Sequence, residues 1–197
     1  MKRSIPIGLL VVSLVALFVL GGTLAWFTAD AKAPNMFTTG TVDIEIDEDL
    51  DDPNDWAPGI TKKKQVSVKN LGSLPVFVRV QLTPVWGSMD GEDFREDEEL
   101  SIENVIFNIN TDSWVKSGDW YYYMGVLETE GKPKGVLEPE GKTPPLLYSV
   151  TLDGSLTDND YQGKTLKIYV NAEAVQAAPI GAARDAWHLD ELPFELE

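Results

Sequence analysis

The chain has 197 residues, room for one ordinary domain and a short extra segment. It carries 32 acidic against 16 basic residues, a formal net charge of −16, which excludes a nucleic-acid binder and disfavours docking on anionic lipid, because both need clustered Lys and Arg. With no cysteine and one histidine, the sequence excludes disulfides, thiolate metal sites, cysteine nucleophiles and multi-histidine centres, while 43% hydrophobic residues suffice for a packed core.

The N-terminus predicts an export signal. Lys2 and Arg3 form a positive start, Ile5 to Leu20 carries no charge, and Thr23-Leu24-Ala25 has the small residues of a cleavage site. The apolar run is shorter than the ~20 residues of a spanning helix and is interrupted by Pro6, Gly8 and Ser13. Residues 1–25 are therefore expected to be a signal-peptide helix cut between Ala25 and Trp26, with membrane contact only before cleavage; the alternative is an uncleaved N-terminal anchor, which leaves the protein on the same outer side of the membrane. The mature chain then opens on a semi-apolar leader, 26–40, that contains Trp26, Phe27, Met36 and Phe37. Such a segment can lie in its own sheet or add to an exposed sheet edge on a neighbouring molecule. The second arrangement is head to tail and propagates into a filament.

Period-two runs follow over 41–178. Val42, Ile44 and Ile46 alternate with polar residues, as do Val66 and Val68, then Val76 to Leu82, Tyr148 to Leu152, and Leu166 to Ala172. Val105 to Ile109 and Trp120 to Leu127 are further strand candidates. Asn70-Leu71-Gly72-Ser73 reads as a hairpin loop, and Trp114-Val115-Lys116 pairs with Trp120–Tyr123 as a short hairpin around Gly118. One or two helical turns are expected near Glu92-Asp93-Phe94, and a short Ala-rich helix over Gly181 to Trp187. Gly125–Lys142 reads as a long surface loop with a local duplication, and 179–197 as an Ala-rich, then loose and acidic, tail. With no βαβ rhythm, the expected fold is all-β: an antiparallel β-sandwich of the jelly-roll or immunoglobulin-like kind, preceded by the signal helix.

Few residues invite chemistry. The acid run Asp47 to Asp55 offers oxygen ligands, but as an EF-hand it puts Asp52 where Gly is needed and Pro58 where a bidentate Glu is needed. A solvated acidic loop is expected, with a looser calcium loop as its alternative. His188 has no identifiable nucleophile or metal set beside it, and no hydrolase or nucleotide-binding motif occurs. No catalytic residue, metal or cofactor is expected. Trp120-Tyr121-Tyr122-Tyr123 reads as core on one face, with a glycan-stacking platform as the alternative.

Several blocks resemble the TasA/camelysin family, most closely its biofilm matrix branch. Gly21-Gly22-Thr23-Leu24-Ala25-Trp26-Phe27 is similar to its signal junction, and Phe37-Thr38-Thr39-Gly40-Thr41-Val42-Asp43 to its first strand. Trp56-Ala57-Pro58-Gly59 and Val66 through Val80 match a W-x-P-G…V-x-V-x-N-x-G…V-R-V pattern; Asp119–Tyr123 and Val170–Ala177 resemble later blocks. The resemblance implies a jelly-roll-like sandwich, processed by a SipW-type signal peptidase, secreted, and self-associating into extracellular biofilm matrix fibres, with a matrix or cell-wall partner. It implies that Trp26 to Phe37 is a donor strand completing the next subunit's sheet. Some members carry a metallopeptidase label; one histidine and no zinc-binding pattern argue against carrying that activity over. The alternative function is a cell-surface adhesin that binds glycan or calcium.

Overall fold

The computed structural model describes residues 39–50, 56–125, 135–179 and 181–193. The chain divides into two compact units, Met1–Thr39 and Gly40–Glu197, and the second holds both sheets. The expected signal helix, its cleavage pair and the leader residues Trp26, Phe27, Met36 and Phe37 lie outside the described residues.

Two antiparallel sheets form the unit. The first has the order β1 (Ile44–Leu50), β2 (Thr61–Asn70), β9 (Leu147–Leu152), β5 (Val105–Ile109). The second has the order β10 (Thr165–Gln176), β3 (Val76–Asp90), β7 (Trp120–Tyr123), β6 (Trp114–Ser117), with β4 (Asp93–Glu96) and β8 (Val136–Leu137) also pairing with β3. Apolar residues at every second position of both sheets meet in one core. Val66, Val68, Val76, Val78, Val80, Leu147 and Val150 are all at most 1% exposed. A fully buried side chain of this size stabilises by about 2 kcal/mol, so this layer carries the fold. The all-β sandwich expected from the alternation is the observed architecture.

β3 organises the second sheet. It pairs with β10 from Val76↔Gln176 to Gly87↔Thr165, and on its other side with β8, β7 and β4 in turn. Pro84 falls between the β7 and β4 pairings, where β3 has a partner on one side only, the edge-like position in which a strand tolerates proline. The expected helical turns near Glu92 are instead the β3–β4 hairpin, with Asp90 opposite Asp93 across Gly91, whose φ is +67°. The short β6–β7 hairpin forms as expected.

Two family-like blocks acquire a physical role. In Trp56-Ala57-Pro58-Gly59, the Ile60 N–H donates to the Ala57 carbonyl at 3.2 Å and Gly59 has φ +81°, a type II turn with proline and glycine where that turn wants them. The Trp56 Nε1–H closes the same turn on the Ile60 carbonyl at 2.7 Å, and its ring packs against the core. Asn70-Leu71-Gly72-Ser73 is not the expected hairpin loop, because β2 and β3 belong to different sheets. It is a corner between the layers. Asn70 is fully buried; its amide donates to the Leu74 and Leu137 carbonyls, and its oxygen accepts from the Gly72 N–H. A Cβ at Gly72 would sit 2.4 Å from the Thr41 carbonyl oxygen, so only glycine lets the corner close on the Thr41–Asp43 backbone.

The second sheet's outer face is also covered. Phe77 and Tyr122 pack there under Ala183 and Trp187 of helix α1 (Ala182–Trp187), with Leu189 and Leu192 alongside. The short Ala-rich helix is found where expected. The tail is less loose than expected as far as Pro193, because its two leucines join this smaller core; residues 194–197 lie outside the described residues.

Candidate assembly surface

The flank bounded by β1 and β10 is less covered than the middle of the sandwich. Each is an edge strand with no further strand beyond it among the described residues. The register puts Ile44, Ile46, Glu48 and Leu50 in one row, opposite Asn70, Val68, Val66 and Lys64. Ile44 packs against the core, but Ile46 is 36% and Leu50 50% exposed. On β10 the inward row Leu166, Ile168, Val170, Ala172 and Ala174 is only partly buried. On the opposite flank β5 also keeps Val105, Phe107 and Ile109 partly buried, but there Trp114 is buried and its Nε1–H reaches the Pro144 carbonyl at 3.2 Å, tying the two sheets together.

β1 reverses one expectation. Asp47, Glu48 and Asp49 were expected in a solvated loop; they belong to the strand. Lysines make this tolerable. Asp47 pairs with Lys142 at 2.7 Å, Glu48 with Lys64 at 3.1 Å, and Asp49 with Lys63; Glu45 stands opposite Lys69 in register. The edge is therefore locally balanced in a chain of net charge −16. Residues 51–55 of the acid run lie outside the described residues.

Where the leader joins the sandwich, the backbone is tightly held. The Leu71 and Gly72 N–H groups donate to the Asp43 carbonyl, and those of Ser73 and Leu74 to the Thr41 carbonyl. Gly40 lies against the Leu74 side chain. Beside it is an apolar hollow of 290 Å³ lined mainly by Leu74, Pro75, Phe77, Val136, Ala177 and Ala178.

The aromatic strand is no glycan platform. Tyr121, Tyr122 and Tyr123 are all buried, and burial raises the Tyr123 phenol above its ordinary range. They line the two cores. Trp120 instead stacks on the Arg79 guanidinium at 4.1 Å, with Trp187 on Arg79 at 4.9 Å. Glu173 Oε2 accepts from Arg79 Nε at 2.9 Å and Nη2 at 2.7 Å. Arg79 was not singled out from the sequence, where an arginine on a strand's outward face reads as solvated. His188 is exposed and caps α1 in the left-handed conformation, φ +54°.

Among the described residues no three His, Cys, Asp or Glu side chains are grouped to hold a metal ion. No described helix is long and apolar enough to cross a membrane. No curated protein matches the chain. The profile of the camelysin metallo-endopeptidase family matches residues 1–116, from the N-terminus into β6, and the chain belongs to that family.

Proposed function

We propose that this protein is a secreted structural subunit of extracellular biofilm matrix fibres, in which the leader Trp26–Phe37 of one copy adds as a strand to the β1–β10 flank of the next. The observation that carries the reading is that flank: two strand edges with no further strand beside them among the described residues, the β1 row leaving Ile46 and Leu50 exposed and the β10 inner row only partly buried. An added strand satisfies backbone donors and acceptors at either edge, while its alternate side chains cover the inner rows. Family membership supports secretion and a place at the cell surface or matrix. The export-like start of the sequence supports cleavage between Ala25 and Trp26, which frees the leader, and the resemblance of Gly21–Phe27 to the family's signal junction implies that a SipW-type peptidase makes the cut.

The family's description names a metallo-endopeptidase, which implies a metal centre. The described residues do not fit one: the sole histidine caps α1 at the surface, and no trio of potential ligands is grouped.

Purified, exported protein should form polymers seen by electron microscopy and sedimentation, and mass spectrometry should find Trp26 as its first residue. Deletion of 26–37 should leave folded monomers. Polymers that form equally well without those residues overturn the donor-strand reading.

A further inference from the structure

We infer that β1 is a salt-sensitive latch: ion pairs, more than apolar packing, seat its C-terminal half on β2 and on the segment between β8 and β9, so ionic strength sets whether the flank is intact. Its N-terminal end is anchored by the Thr41 and Asp43 carbonyl bonds to residues 71–74 and by Ile44 in the core. Beyond Ile44 every residue of the strand is exposed; Ile46, at 36%, still packs in part, while Asp47 to Leu50 are held less by packing. What remains besides the ladder is electrostatic: Asp47–Lys142, Glu48–Lys64 and Asp49–Lys63.

The three pairs respond differently to salt. Asp47–Lys142 and Asp49–Lys63 have both side chains about half exposed, so they are screened once the Debye length falls to about 3 Å at 1 M salt. Lys64 is 8% exposed, on the row shared with Val66 and Val68, and its pair with Glu48 is screened less. High salt therefore loosens the strand from Leu50 back toward Asp47 without releasing Ile44. In the fibre reading, on which the functional sense of this latch rests, a loosened β1 deprives the incoming strand of its seat.

The test is hydrogen exchange by mass spectrometry on the exported chain in 0.05 M and 1 M NaCl. Peptides covering 44–50 should exchange about five- to tenfold faster at 1 M, the scale of two exposed pairs, while β3 and β10 stay unchanged. Lys63→Gln with Lys142→Gln should show the fast exchange already at low salt. Asp47→Cys with Ser67→Cys, opposite each other in register and free of competing cysteines, should abolish the salt response when oxidised; when reduced, with the Asp47–Lys142 pair gone, it should show a smaller response carried by Asp49–Lys63. Salt-independent exchange of 44–50 in the unmodified chain, or an equal change throughout the molecule, overturns the latch. Polymer yield separates the two ideas: it should fall at 1 M and recover in the oxidised variant. If no polymer forms in any condition the fibre reading fails, and exchange still decides the latch.

Discussion

Arg79 is the residue on which three distant parts of the chain converge. It lies on β3, with Trp120 of β7 and Trp187 of α1 stacked on its guanidinium and Glu173 of β10 bonded to it. A planar, always charged group can stack on two rings while its edge donates to a carboxylate; an ammonium has no such plane. Arg79→Lys should therefore destabilise by about 2 kcal/mol despite keeping the charge, because the stacking and the two-donor contact are both lost. Thermal unfolding would measure the loss, and Trp187 emission should shift to the red as α1 loosens; an unchanged melting temperature counts against the clamp. The residue-scale message of the sequence was uneven. Gly118 announced its turn because the backbone demand is local: the β6–β7 hairpin needs the positive φ, +59°, that it adopts. Asn70 and Gly72 announced a turn but not its destination, since the partners that make the corner, Thr41, Asp43 and Leu137, are distant in sequence. Arg79 was silent, because only α1 makes its side of the sheet an interior.

Elements with strong alternation were legible, and their ends were not. β5 falls where the apolar pattern put it, whereas β1 runs on through Asp47, Glu48 and Asp49 because lysines elsewhere balance them. Alternation also misassigned Tyr148. The β2–β9 and β5–β9 registers shift beside it, so Leu147 is buried and Tyr148 is 39% exposed. A bulge is invisible to a strict period of two. The loops after β4 and β9 form an acidic pole in which Lys164 binds Asp97 at 2.6 Å and Tyr161 packs on Trp86. The hydrogen bond from Lys164 holds the Asp97 carboxyl below its ordinary range, and the Ser155 hydroxyl does the same for Asp153. A depressed carboxylate pKa contributes stability that is present above the unfolded value and lost as pH falls through the folded one. Acidification below the ordinary aspartate range should therefore loosen 97–104 and 153–164 before the sandwich core. Hydrogen exchange against pH would show it; simultaneous loss of protection in β3 would contradict it.

At the scale of the molecule, the sandwich keeps a buried centre and leaves its β1–β10 flank half covered, and the two regions should answer differently to the same substitution. A carboxylate in place of fully buried Val78 has no route to water and should unfold the protein. Val170 is one strand away on the same inner layer but only partly buried, so a carboxylate there can turn toward solvent. Val170→Asp should fold, with a melting temperature within a few degrees of the unmodified chain. It should nevertheless block polymerisation, because an incoming strand would bury that charge without a partner. Tyr169→Asp is the control: its side chain stands on the opposite face of β10, exposed and bonded to Glu96 at 3.0 Å, and this variant should polymerise. Sedimentation of the two variants with thermal unfolding in parallel makes the comparison. If Val170→Asp assembles as readily as Tyr169→Asp, the β10 inner row takes no part in joining one molecule to the next, and any joining surface lies on another part of the sandwich.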